Sequence, residues 1–411
     1  MDSVLQAASP ESVGLSSQGL AAVDEALTAL VDSGELAGYV SLVARHGKVV
    51  HRATVGKKDL ASGEPLAQDT IFRIFSMTKP VMAVAMMILH DEGRWRPEDP
   101  IAKHLPALAD RQVFAGLDDA GQMKLEPAHH APTMAELMTH TAGFLYGFNP
   151  ADPVDKLYAE ERLLASDSLA QMVEKLGRLP LAYQPGTKWV YSLSMDIQGA
   201  IVEALTGQSL PDFMHERIFR PLGMVDTGFS LVEAQLPRLA TLYRGMPDGS
   251  LEAVKRAMML ADPLKAPGAA SGGGGLASTL DDYARFAQML LNRGELGGVR
   301  IISEAAAKQM MTNHLSDPLI NGRFMVGRQR IRPGFGYGYD GAVFYDPAAA
   351  KIPVGKGTYQ WDGAAGTWFW VDPENDLIYV AMIQRLGGLE APGTAHQELT
   401  QKLIAPAIVG P

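Results

Sequence analysis

Ser76 stands three residues before Lys79 in Phe75-Ser76-Met77-Thr78-Lys79-Pro80, and the apolar run Val81-Met82-Ala83-Val84-Ala85-Met86-Met87-Ile88-Leu89 follows. On a helix this spacing sets hydroxyl and amine on one face, one turn apart. Such a pair can serve as a nucleophile and its base. Pro80 fixes where the helix begins, because only the first positions of a helix can lack an N–H without losing a hydrogen bond. Ser76 is therefore expected at or beside a helix N-terminus, where unpaired N–H groups and the helix dipole favour developing negative charge. Roughly one Ser-x-x-Lys is expected by chance in a chain this long, so the spacing needs partners to mean anything.

Two further stretches can supply them. In Pro185-Gly186-Thr187-Lys188-Trp189-Val190-Tyr191-Ser192, a tyrosine after a Pro-Gly turn and before a helix can project its hydroxyl into a cleft. Taken alone, Tyr191 reads better as a packed core aromatic. In Trp361-Asp362-Gly363-Ala364, a glycine at a strand edge lets backbone approach a ligand closely, so that nearby N–H groups can point at an oxyanion; a plain turn is an equal reading.

The elements that must position these groups follow from patterning. Ser16 or Ser17 can cap a helix carrying Leu20, Val23, Leu27, Leu30 and Val31 on one face, ending near Gly34. Residues 38–45 and 48–55 read as a β-hairpin about His46-Gly47, and the helix after Ser76 stops at Asp91-Glu92-Gly93. From Pro97 to about residue 265 the pattern is mainly helical: a capping box at Thr133-Met134-Ala135-Glu136, then helices near 168–177, 194–206 and 209–219. Residues 107–132 read as an irregular excursion. A helix capped by Ser278 or Thr279 follows, then strands near 335–339, 367–371 and 377–384 and a last helix near 393–405. Strands at both ends imply one antiparallel sheet built from residues 1–75 and 265–411, flanked by helices, with a mainly helical lobe, 76–264, inserted and the active site between the two. The fold class is thus mixed α/β.

Composition narrows the function. A length of 411 residues with 47% hydrophobic and 20% charged residues fits a globular enzyme or binding protein. A net charge of −10 disfavours nucleic acid or an anionic membrane as partner. With no cysteine, there is no thiolate nucleophile and no Cys-ligated metal. Residues 1–10 lack the cationic and apolar segments of a signal peptide, and the longest apolar run, 81–89, is far short of the ~20 residues that span a bilayer, so the expected location is cytoplasmic.

Ser76-x-x-Lys79, Tyr191 in Pro-Gly-x-x-Trp-x-Tyr-Ser, and Trp361-x-Gly363 together resemble the serine β-lactamase and penicillin-binding-protein superfamily in order and rough spacing. The chain is most similar to its esterase branch, the family VIII carboxylesterases, with class C β-lactamases and fungal statin side-chain acyltransferases as relatives. Leu137-Met138-Thr139-His140-Thr141-Ala142-Gly143, Pro221-Leu222-Gly223-Met224 and Gly274-Gly275-Leu276-Ala277-Ser278-Thr279 also look like family signatures, and the likeness runs from about residue 15 to 400. It implies a β-lactamase-like fold, Ser76 as acyl-accepting nucleophile, Lys79 and Tyr191 sharing the base role, and the N–H groups of Ser76 and Ala364 as an oxyanion hole. It implies neither metal nor organic cofactor.

Two departures choose between branches. β-Lactamases of this type resemble Tyr-x-Asn where this chain has Leu193, and Lys-Thr-Gly where it has Trp361 and Gly363. Loss of both polar anchors disfavours a carboxylate-bearing β-lactam and favours a neutral ester, so the expected reaction is hydrolysis of short-chain carboxylic esters through an acyl-serine intermediate. Trp361 would line the acyl or alcohol pocket; Tyr146 and Phe148 can do so too, but a core role suits them better. The same residues leave acyl transfer to an alcohol open, with a β-lactamase or D-Ala-D-Ala peptidase as the other rival. His140, with no acid at triad spacing, reads as structural, His129-His130 lacks a metal-binding pattern, and Gly272–Gly275 reads as a flexible turn near the cleft. Oligomeric state is not legible.

Overall fold

The computed structural model describes residues 5–255, 262–320, 331–387 and 392–410; the first four residues of the N-terminal segment lie outside it. Eight strands form the main sheet: β1 (Gln6–Ala7), β2 (Gly38–Arg45), β3 (Lys48–Gly56), β4 (Phe335–Tyr337), β5 (Ala342–Phe344), β6 (Thr358–Asp362), β7 (Trp368–Asp372) and β8 (Leu377–Met382). Their order is β1-β3-β2-β8-β7-β6-β5-β4. Every neighbouring pair is antiparallel except the short β1 beside β3. The two ends of the chain meet where β2 pairs with β8, in a register that opposes Leu42 to Val380. The expected sheet assembled from both termini is present.

Helices cover both faces, α1 (Ser17–Asp32) and α5 (Pro392–Ile404) on one and α2 (Thr78–Asp91) and α4 (Leu280–Leu291) on the other, while α3 (Ser194–Thr206) packs against α2. Side chains alternate along a strand, so β2 sends Tyr39 and Val43 to a core with Leu20, Val23 and Leu27 of α1 and Ile404 of α5. Val40, Leu42 and Ala44 face the other way, toward α2 and α4. Both faces of β2 are buried along its whole length. Helix α2 is buried from Thr78 to Leu89, which explains an apolar run without amphipathic period: a helix surrounded by protein needs no polar face.

Local signals act as their chemistry requires. Ser16 caps α1 by accepting from the Gly19 N–H, Thr133 and Glu136 complete their capping box, and Thr279 caps α4 through the Asp282 N–H. The excursion at 107–132 is instead a β-hairpin, Gln112–Leu117 with Met123–Pro127, turned by Asp118, whose carboxylate accepts from the N–H groups of Ala120 and Gln122. Its strands are mostly exposed, so no apolar alternation marks them. The mainly helical stretch also holds a small sheet, Tyr243–Gly245 with Leu251–Ala253, joined by Arg385–Leu386. Strands β5 and β6 were not expected from the sequence; β5 has only three residues.

Candidate active site

Ser76 lies in a single 3-10 turn, Phe75–Met77, immediately before α2. Pro80 falls at the third position of α2, where its missing N–H costs nothing. Phe75 takes a left-handed conformation, φ 43°, rare for a residue with a Cβ and of order 1–3 kcal/mol in cost. Its surroundings hold it there: the Ile74 N–H donates to Leu276 O at 3.0 Å, Tyr283 OH to Met77 O at 2.9 Å and Thr367 Oγ1 to Ile74 O at 3.2 Å. Ser76 is half-buried and reachable from solvent.

Its hydroxyl is bracketed. Tyr191 OH donates to Ser76 Oγ at 2.8 Å, and Lys79 Nζ approaches the same oxygen at 3.3 Å. The amine also donates to Gly273 O at 2.6 Å and to Tyr146 OH at 3.1 Å. Nζ lies 4.6 Å from the centre of the Tyr191 ring. Lys79 is fully buried, and desolvation pulls its pKa down to about 8 although Asp196, Asp340 and Asp362 work to raise it. Burial pushes the Tyr191 phenol above its ordinary value, chiefly by desolvation, so it is a neutral donor at physiological pH.

Tyr191 is held at both flanks by His140. The Val190 N–H donates to His140 O at 2.9 Å, and the Ser192 N–H to His140 Nδ1 at 3.1 Å. The imidazole sits 4.9 Å from the Tyr191 ring, centre to centre. A ring nitrogen that accepts from a backbone N–H places the proton on Nε2, and burial lowers the imidazole pKa well below the usual value, keeping it neutral. The structural reading of His140 stands, with Tyr191 as what it supports.

On the other side, strand β6 ends at Asp362 and β7 starts at Trp368. Trp361 is nearly buried, stacked 5.8 Å from Tyr191 and edge-on to Tyr337. Gly363 has no space for a side chain: a Cβ would collide with Ile74 O and Thr367 Oγ1. This close approach carries Ala364 to the Ser76 turn, where it packs with Phe75. Among the described residues, neither the Ser76 nor the Ala364 N–H donates an intramolecular hydrogen bond.

The pocket residues sort differently from expectation. Leu193 is 1% exposed and packs into the main core ahead of α3, so its side chain lines nothing. Phe148 is 64% exposed rather than in the core, stacked on Tyr146 at 4.6 Å with the rings 7° from parallel. Tyr146 brings its hydroxyl to Lys79. Gly272–Gly275 is no loose turn: a Cβ on Gly273 would meet Tyr146 OH and Asp196 Oδ2, and its carbonyl anchors Lys79. Sequence reasoning missed Asp196 and Asp340, buried carboxylates facing Lys79 whose own pKa values burial raises. A fully buried aspartate in the first turn of α3, among Met195, Ile197, Ala200 and Ile201, was the one available hint. His130 is paired with Glu136 at 2.8 Å.

The Beta-lactamase family profile matches residues 23–402. Protein Rv1367c of Mycobacterium tuberculosis is 37% identical over 374 residues, 89% of this chain and 90% of that one. Esterase EstB of Burkholderia gladioli is 32% identical over 381 residues, 88% of this chain and 89% of that one. The solved structure of EstCE1, described as a hydrolase with promiscuous acyltransferase activity, superposes with a TM-score of 0.77 at 27% identity, covering 96% of this chain and 99% of that one. Family match, esterase relatives and shared fold give one conclusion: the chain belongs to the Beta-lactamase family and is a serine hydrolase.

Proposed function

We propose that the chain is a carboxylesterase that hydrolyses small esters through an acyl intermediate on Ser76. The observation that carries this reading is the bracket on Ser76 Oγ, with Tyr191 OH at 2.8 Å and Lys79 Nζ at 3.3 Å. When Lys79 is neutral its lone pair takes the Ser76 proton as Oγ attacks the ester carbonyl, and Tyr191 remains a donor. The carbonyl oxygen becomes an oxyanion facing the N–H groups of Ser76 and Ala364, one such donor being worth about 3 kcal/mol of barrier. Collapse breaks the bond to the alcohol, which leaves with the proton that Lys79 took from Ser76. Water then enters and attacks the acyl carbonyl as it gives a proton to Lys79; collapse breaks the bond to Ser76 Oγ, which takes that proton back from Lys79, and the acid leaves.

Trp361 and the Tyr146–Phe148 stack supply the lining, and neither Leu193 nor Trp361 offers the polar anchor a β-lactam needs. The test uses purified protein with p-nitrophenyl acetate and butyrate, Ser76→Ala beside it, and a fluorophosphonate probe to label Ser76. Turnover by Ser76→Ala at the wild-type rate ends the proposal. Nitrocefin in parallel separates the β-lactamase rival. The likeness to EstCE1 favours acyl transfer as a second outcome of the same acyl-enzyme, detected by adding an alcohol acceptor and analysing products.

A further inference from the structure

Beside the Ser76 turn lies a cavity of about 500 Å³, lined by Arg73 and Lys255 and walled by Leu236, Leu239, Leu242 and Val254. That volume is in the range of small-molecule sites. Leu242 and Val254 also pack with Phe75 and Ala364, so cavity and oxyanion site share one wall. Arg73 is half-buried three residues ahead of Ser76. Its backbone is fully engaged: N–H and C=O both bond the Gln384 amide, at 2.9 and 3.1 Å. Its guanidinium is not: among the described residues it has neither a hydrogen bond nor an ion pair.

Two other inward-turned arginines have most of their donors met, with only Nε of Arg111 left over, and Nε of Arg385 is likewise unmet among the described residues. Arg45 donates to the carbonyls of Val13, Gly14, Asn375 and Gly410, and Arg111 to those of Leu176, Gly177 and Leu179. Burial pulls the Arg73 pKa down and no carboxylate pulls it back. One carboxylate, Asp262, lines the cavity, and it accepts the Leu264 N–H. A guanidinium carries five donors in a planar fork that fits a carboxylate, and leaving them unmet in a partly desolvated place is costly unless a ligand meets them.

We propose that this cavity is an anion subsite in which Arg73 binds a carboxylate carried by the ester substrate, at the end remote from the scissile bond. This rests on the carboxylesterase reading above and narrows it: neutral at the reacting group, the preferred ester is anionic elsewhere. Trp361 offers such a group no cation, whereas Arg73 does.

The experiment compares kcat/KM for p-nitrophenyl hydrogen glutarate with that for its methyl ester, in the wild type and in Arg73→Gln and Arg73→Lys. A second arm uses the acetyl ester of 4-hydroxybutyrate against its methyl ester, which places the carboxylate on the alcohol side instead. We expect the wild type to prefer the anionic member of at least one pair, Arg73→Gln to lose that preference at least tenfold, mostly through KM, and Arg73→Lys to keep part of it. Each ratio is internal to one protein, so a general loss of activity does not mimic the effect. Should the variants fail to fold, the wild type decides: KM for the anionic ester should rise with added salt while that for the neutral ester does not, and monomethyl glutarate should inhibit competitively. A wild type that favours the neutral ester of both pairs, or an equal preference in Arg73→Gln, overturns the proposal. A wild type inactive on all four esters overturns the carboxylesterase reading instead.

Discussion

Lys79 offers the sharpest kinetic test. A lysine at its ordinary pKa of 10.5 is neutral in roughly one molecule in three thousand at pH 7. With the pKa lowered by burial to about 8, roughly one in ten is neutral at pH 7 and nine in ten at pH 9. Burial therefore enlarges the pool of competent base about 300-fold at pH 7. Because the deprotonated form is active, kcat/KM for p-nitrophenyl acetate should rise about tenfold between pH 7 and pH 9, then level off. The assay follows p-nitrophenol at its isosbestic wavelength and subtracts spontaneous hydrolysis. Asp196 is the first of the charges that hold this pKa up, ahead of Asp340 and Asp362. Removing its charge with Asp196→Asn should move the inflection to lower pH. An inflection near lysine's ordinary value, a flat profile below pH 8, or a shift of Asp196→Asn to higher pH would each refute the assignment of Lys79 as base.

Gly363→Ala puts a Cβ against Ile74 O and Thr367 Oγ1 and must displace the Ala364 N–H; kcat for p-nitrophenyl butyrate should fall about 10²-fold, as for one oxyanion donor, with KM little changed. Tyr146→Phe removes an acceptor 3.1 Å from the Lys79 ammonium, so the inflection of the same pH profile should move acid-ward, and an unchanged inflection rejects that contact. Leu42→Ala opens a cavity in the centre of the sheet, where the side chain is fully buried; a loss of about 2–5 kcal/mol should appear as a clear drop in thermal midpoint.

What could be read in the sequence was chemistry confined to short spacings. Ser76 and Lys79 announce themselves because one helical turn joins them, and Thr133 with Glu136 because a capping box is local. The hairpin at 112–127 escaped because its strands face solvent on most positions and carry no period-two signal. Tyr146, Asp196, Asp340 and Gly273 reach Lys79 from four separate parts of the chain, and no spacing rule connects residues 67 or 194 positions apart. The backbone strain is equally silent in sequence: Phe75, His140 and Asp340 are all left-handed, and all three surround the same amine and hydroxyl. Such conformations persist only where packing over-determines them, which the buried α2, the Gly273 contact and the Ile74–Thr367 bond together do. The Ser-x-x-Lys spacing can arise by chance, but an amine buried to a pKa near 8, a phenol kept neutral and a glycine with no room for a Cβ cannot be assembled by spacing alone. The fold contributes that desolvation, and desolvation turns an ordinary lysine into a base at neutral pH.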